Sequence, residues 1–262
     1  MQLKRSIFQI VPILLIIGAL TIFWLAAPSG FQAKINWIAS SVCHQLPEHS
    51  FHLQGHQFPL CARCSGAYLS TFIAAVYFST KGKKASFPPI WISVILIVFV
   101  AFWVVDGVNS FSYEILHRTL LYEPTNFLRF TSGIGMGMVF ALIVMTIFNL
   151  VFWKDREESA LLKDGKDIAI LFLLESGLFF FPFNKNLFVF NLAGFISTIT
   201  VLTLIASLYA ILFVVIAHKE GTYNSLREIV TPLCIGFFVA ILQIWVMGSL
   251  RANVTLFSIF PL

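Results

Sequence analysis

Three of the four cysteines in the chain, Cys43, Cys61 and Cys64, fall between residues 43 and 64. Four of the six histidines, His44, His49, His52 and His56, fall in the same stretch. Thiolates are soft ligands that favour zinc and Cu(I), and a Cys-x-x-Cys pair with a third Cys and a nearby His is the donor set of a Cys3His zinc site. Here Cys61-Ala62-Arg63-Cys64 supplies the pair and Cys43 the third thiol. The fourth ligand is open at this point. His44 adjoins Cys43, and neighbouring side chains diverge unless the backbone turns between them, whereas His52 and His56 are freer to fold back. Glu48 is placed to act on a metal-bound water if the fourth position stays open. The same thiols suit a second chemistry. Cys61 and Cys64 stand where a helix is expected to begin, and a helix N-terminus lowers a thiol pKa, which favours thiol–disulfide exchange with Cys43 as the resolving thiol. A structural disulfide between two of the three is a further reading. Cys234 lies within an apolar run and reads as a packing residue.

A second polar group lies further on. Asp106-Gly107 ends one apolar run, and Thr125-Asn126 precedes another, where either residue suits a helix N-cap. Asn126, Arg129, Ser132 and Gly133 follow at spacings of three and four and so share one helix face. Arg129 is expected either to pair with Asp106 across two helices or to bind an anionic group near the cysteines. With Asn126, these two residues would line a polar pocket beside the metal. Glu175, in the middle of an apolar run, calls for a partner or a proton-handling role.

The elements that position these residues are membrane helices. Of 262 residues, 58% are hydrophobic and only 11% charged, against about 25% charged in a soluble domain. Apolar runs long enough to span cover roughly 7–27, 65–80, 88–106, 129–153, 167–183, 188–217 and 229–250. The expected fold is all-α, a polytopic transmembrane bundle of about seven spanning helices, multi-pass in the cell membrane. The first run reads as an uncleaved helix, because Pro28 after Ala26-Ala27 is a poor cleavage context.

Placing the N-terminus in the cytoplasm puts eleven Lys and Arg on that side: Lys4, Arg5, Lys81, Lys83, Lys84, Lys154, Arg156, Lys163, Lys166, Lys219 and Arg227. Six stay on the other, Lys34, Arg63, Arg118, Arg129, Lys185 and Arg251. That is the positive-inside bias. The long loops 28–64 and 107–128 then share the non-cytoplasmic side. The first shows no clear helical period, though Ile35, Trp37 and Ile38 suit an interfacial or re-entrant course. Residues 1–153 form a motif-bearing region and 154–262 a C-terminal membrane region, within one bundle. The net charge of +5 does not point to nucleic acid: there is no basic run beyond residues 81–84, no aromatic–basic interleaving and no phosphate-cradling glycine loop.

The run Cys43-His44-Gln45-x-Pro47-Glu48-x-Ser50, then Gly55, Pro59 and Cys61-Ala62-Arg63-Cys64-x-Gly66-x-Tyr68, resembles the prokaryotic membrane family known as domain of unknown function 2085. Asp106-Gly107 and Thr125-Asn126-x-x-Arg129-x-x-Ser132-Gly133 also resemble it, so the likeness covers roughly residues 38–140. His49 departs from it, standing where members often carry Arg. The resemblance implies no activity. It implies that Cys43, His44, Cys61 and Cys64 form one motif, which favours His44 as the fourth zinc ligand.

These readings converge on a membrane protein with a zinc site on its non-cytoplasmic side, held by Cys43, His44, Cys61 and Cys64, with lipid as its surroundings. If it is an enzyme, Glu48, Asp106 and Arg129 are the catalytic candidates and Asn126 a binding residue, acting on a lipid-linked or small anionic substrate. A thiol–disulfide oxidoreductase using Cys61 and Cys64 is the second reading. A transporter or lipid-handling protein with Glu175 as coupling carboxylate is the third, and the lack of a visible inverted repeat weighs against it.

Overall fold

In a computed structural model describing residues 2–116 and 118–253, the chain is mostly helical. The helices are α1 (Gln2–Ala26), α2 (Phe31–Ala39), α3 (Ala62–Ser79), α4 (Ile90–Leu116), α5 (Asn126–Phe152), α6 (Gly165–Ser176), α7 (Leu187–Ile216) and α8 (Leu226–Asn253). Four short strands, β1 (Ser50–Leu53), β2 (His56–Cys61), β3 (Lys84–Ser86) and β4 (Glu157–Ala160), pair as β1 with β2 and β3 with β4. The side chains of Lys4 and Arg5 and the tail after residue 253 lie outside the description.

The chain is a multi-pass membrane protein. Four helices, α4, α5, α7 and α8, are long and apolar enough to cross a bilayer, and Pro12–Ala26 of α1 with α2, bent by 106° between them, has the length and composition of a fifth candidate, either a broken span or a re-entrant pair. The two remaining expected spans are of a different kind. Helix α3 has 18 residues and sits at the centre, with Ser65, Gly66, Ser70 and Thr71 buried. A helix shielded by other helices has no need of a lipid-compatible surface. Helix α6 has 12 residues and passes at Gly177 into a 3-10 segment, Gly177–Phe183, that contains Pro182.

Small residues set the central packing. A Cβ on Gly66 would land on the Phe130 carbonyl oxygen, one on Gly133 on the Arg63 carbonyl oxygen, and one on Gly137 on the Ala67 carbonyl oxygen. Only glycine lets α3 and α5 come this close, and Ser70 and Thr71 use the contact to donate to the carbonyls of Ile134 and Gly137 at 2.8 and 3.1 Å.

The loops gather into two ends. At one, Asn149 donates to the Lys84 carbonyl, β3 pairs with β4, and Lys154 N–H donates to the Tyr223 carbonyl. Lys83 pairs with Asp155, and Lys81 with Asp167. At the other, the β1–β2 hairpin packs its rings into the bundle: Phe58 meets Phe190 and Phe181 at 5.1 and 5.5 Å, and Phe51 meets Phe130 at 5.5 Å.

Two boundaries differ from the sequence expectation. Loop 28–64 contains a helix, α2, whose Ile35, Ile38 and Ala39 are buried at helical spacing. Helix α4 runs past Gly107 to Leu116. A glycine inside an apolar helix costs only about 1 kcal/mol, which neighbouring packing overrides.

Candidate metal centre and its polar neighbourhood

Cys43 follows α2, and its N–H donates to the Ala39 carbonyl at 3.1 Å. The chain then reverses at Gln45, whose φ of 58° lies in the left-handed region. The Gln45 side chain fixes that reversal by donating to the carbonyls of Asn36 and Pro59 at 2.9 and 2.8 Å, while Gln57 donates to the Gln45 carbonyl at 2.8 Å. The hairpin turns on Gln54 and Gly55, both at positive φ, the requirement of a tight two-residue turn. Its second strand delivers Cys61 to the start of α3. Cys61 is the residue before the first helical turn and Cys64 lies within that turn, so the two thiols fall three apart on one side.

The Sγ atoms of Cys43, Cys61 and Cys64 all lie within 4.8 Å of one another. Cys43 and Cys61 are buried and Cys64 is half-buried, all as free thiols. Two backbone N–H groups point at Cys43 Sγ, from Cys61 at 3.2 Å and Gln45 at 3.4 Å. Hydrogen bonds from the Cys61 and Cys64 thiols, then these amides, hold the Cys43 thiol well below its usual range; the Cys61 thiol is pushed up by its bond to Cys43. Tetrahedral zinc with Zn–S bonds of about 2.3 Å needs sulfurs about 3.8 Å apart. The trio, all within 4.8 Å of one another, lies within about 1 Å of that spacing. A sulfur that collects amide donors is the kind that serves as a metal-bound thiolate.

His44 lies outside the trio. Its ring is exposed, with Nδ1 accepting from Leu46 N–H at 3.1 Å, and it meets the edge of His49 at 5.3 Å. Glu48 has an exposed side chain; its backbone carbonyl accepts from Asn126 Nδ2 at 3.0 Å. Asn126 also reaches the Ser50 carbonyl at 3.3 Å and so ties α5 to the cysteine loop. His52 pairs in register with Gln57 and His56 with Leu53 within the hairpin.

Beside the thiols lies a buried ion-pair network. Asp106 is fully buried and its carboxylate takes four donors: Arg63 Nε at 2.9 Å and Nη2 at 2.6 Å, Tyr122 Oη at 2.9 Å and Ser132 Oγ at 3.0 Å. The expected Asp106–Arg129 pair is replaced by Asp106–Arg63. The reason is position: Arg63 sits in the first turn of α3, which the glycine contacts hold against α5. Arg129, 6% exposed, instead donates to Asn126 Oδ1 at 3.0 Å and Ser110 Oγ at 3.4 Å and lies 3.7 Å from Glu114. Ser110 also accepts from Arg63 at 2.9 Å, so one hydroxyl bridges both guanidinium groups. Glu114 holds His49 Nε2 at 2.6 Å. Burial, then the charge of Arg129, pushes His49 down to about 4.

Thr125 is the N-cap of α5, accepting from Leu128 N–H at 3.2 Å. Helix α8 returns to the loop from afar: Arg251 donates to the carbonyls of Ser40 at 3.3 Å, Cys43 at 2.9 Å and His44 at 2.6 Å. Sequence reasoning gave no role to Ser110, Glu114, Tyr122 or Arg251. The signal for the first two was present, since Asp106, Ser110 and Glu114 recur every four residues, one face of a helix continuing past residue 106.

Comparison with known proteins returns the same segment. Residues 43–143 match the family model described as predicted membrane protein, DUF2085. The match takes in the three clustered cysteines, both bridged arginines, Asp106 and Glu114, and leaves out Glu175 and Arg251. An uncharacterized protein of Methanothermobacter thermautotrophicus is 29% identical over 110 residues, 42% of this chain and 90% of its own. An uncharacterized protein of Methanocaldococcus jannaschii is 29% identical over 119 residues, 45% and 70% respectively. No solved structure matches.

Proposed function

We propose that the protein is a membrane metalloprotein holding one zinc ion on Cys43, Cys61 and Cys64, on the non-cytoplasmic side of the membrane. The observation that carries this reading is the convergence of three free thiols within 4.8 Å, one of them already collecting two amide donors. Three thiolates leave a fourth position on a tetrahedral ion. His44 fills it if its ring turns inward, giving a closed structural site. An oxygen ligand fills it otherwise, and zinc there lowers the pKa of a bound water or polarises an anionic oxygen. The second case fits the surroundings better: His44 bonds outward to Leu46 N–H, and His49, Glu114 and Arg129 continue from it as a run of contacts. Arg129 and Arg63 make a small or lipid-linked anion the substrate class, with Asn126 and Arg129 as binding residues and Asp106 holding Arg63. Glu48 would act only from its exposed position, so His49 and Glu114 replace it as proton-handling candidates.

The reading includes seven passages, α1, α3, α4, α5, α6 with its 3-10 extension, α7 and α8, with the N-terminus cytoplasmic. About 18 Å of α-helix and 14 Å of 3-10 helix give the fifth passage enough length to cross the hydrocarbon core. The end that gathers Lys81, Lys83, Lys84 and Lys154 is the cytoplasmic one.

Elemental analysis of the purified full-length chain tests the metal. About one zinc per chain, lost in Cys43→Ser and in Cys61→Ser while both variants stay folded, is the expected result. Metal-free protein with two of the three thiols oxidised would sink it and favour thiol–disulfide exchange, for which the lowered Cys43 thiol is the supporting feature.

A further inference from the structure

Glu175 takes no part in the centre described above. It is 1% exposed, and neither carboxylate oxygen has a hydrogen-bond or ion-pair partner among the described residues. Its helix makes the contrast plain. Asp167, Leu171 and Glu175 recur every four residues and are all buried, which puts them on one face, the face turned to α3. Asp167 meets Lys81 and Tyr77 there. Two turns on, Glu175 meets Ser70, whose hydroxyl is already donated to the Ile134 carbonyl at 2.8 Å. No cation of α3 reaches it, and the 3-10 segment packed on α6, Gly177–Phe183, has no titratable side chain.

A carboxylate anion in that setting lacks both counter-charge and donors, a loss of several kcal/mol that a neutral carboxylic acid avoids. A metal cation is a poor alternative, since calcium takes six to eight oxygen ligands and magnesium about six, and Glu175 is the sole carboxylate there among the described residues. The carboxyl also stands beside a weak point. The α-helix ends one residue later, and a Cβ added to Gly177 would meet nothing within 4 Å. A helix that changes to 3-10 geometry within a span marks a place that can move.

We infer that Glu175 is a proton-binding site: the carboxyl carries a proton while α6 lies on α3, and loses it to water when α6 lifts away at the Gly177 break. The ligand is the proton itself, and the movement it gates is that of α6. This inference is independent of the zinc reading.

The test is modification of the full-length protein in lipid nanodiscs by dicyclohexylcarbodiimide, which attacks protonated carboxyls in apolar surroundings. At about pH 7, where exposed carboxylates are ionised, Glu175 is expected to be modified and to be absent from the modified sites of Glu175→Gln. The modified fraction should fall about tenfold for each pH unit above the group's own midpoint. Glu175→Leu provides the second readout, keeping the burial without the carboxyl. The wild-type melting temperature should fall as pH rises from the ordinary carboxyl range, where the unfolded chain gives up the proton, to the group's own midpoint and level off above it, while that of Glu175→Leu should stay flatter. Modification only after unfolding, modification that ignores pH, or equal pH slopes for wild type and Glu175→Leu would each overturn the site.

Discussion

At the scale of single residues, the cysteine cluster and the ion pairs were unequally legible. Cys61 and Cys64 announce themselves by spacing, and Cys43 by lying close in sequence. Arg63 does not, because its role depends on a residue 43 positions away. Asp106 accepts two donors from Arg63 and one each from Tyr122 and Ser132, so it organises its neighbours more than it reacts. Removing it leaves Arg63, 19% exposed at its side chain, without its counter-charge. Breaking a buried pair from one side costs about 3–5 kcal/mol. Asp106→Ala is therefore expected to lower the thermal midpoint steeply or abolish folded yield. Asp106→Asn, which keeps an acceptor for Tyr122 or Ser132, should lose roughly half as much. Thermal melts of the two variants in one detergent check this, and an Asp106→Ala midpoint equal to wild type would show that Arg63 finds another partner.

At the scale of elements, most helices follow from apolar length, and the failures share a cause. Sequence reading ends a helix at Gly107 and gives loop 28–64 no helix, because both judgements weigh local propensity. Helix α4 continues because Ser110 and Glu114 have partners on α3, α5 and the loop, and α2 forms because Ile35 and Ile38 have a core to enter. At the α3–α5 crossing, Gly66, Gly133 and Gly137 are the residues whose Cβ would meet the facing backbone, and which helix they face was not legible in the sequence. That contact makes a graded prediction. Gly133→Ala drives a methyl group into the Arg63 carbonyl, and because backbone cannot yield like a side chain, it should cost at least about 1–3 kcal/mol and shift Arg63 and Cys64 away from Asp106 and Cys43. Gly177→Ala has open space and should change the melting midpoint little. Size-exclusion profiles and melts of the pair provide the comparison. Equal behaviour would mean that α3 and α5 are not in glycine-limited contact.

At the scale of the whole molecule, the loops segregate into an end rich in lysine and an end carrying the thiols. This arrangement ties the C-terminal region to the family-matched segment. Arg251, far outside residues 43–143, donates to the carbonyls beside Cys43, so the last helix helps shape a loop whose thiols belong to the first half of the chain. The segregation also fixes what orientation must mean. Lys83 and Asp155 lie in different loops yet pair at 2.8 Å, and the β3–β4 pairing joins the same two loops. Loops 80–89 and 153–164 must therefore share a side, whichever it is, and in the orientation proposed above that side is the cytoplasm. His49 and Glu114 likewise place the cysteine loop and the end of α4 on one side. Reporter fusions in a bacterial host read this directly. A fluorescent protein that matures only in the cytoplasm, fused after Glu158, should glow. Alkaline phosphatase, active only outside the cytoplasm, should work when fused after Thr119 and not after Glu158. The reverse pattern would invert the whole bundle and place the thiols in the reducing cytoplasm, where thiol–disulfide chemistry loses its oxidising surroundings and the zinc reading does not. Active phosphatase at both points would mean that the segment between them crosses the membrane an even number of times, which α5 alone cannot do.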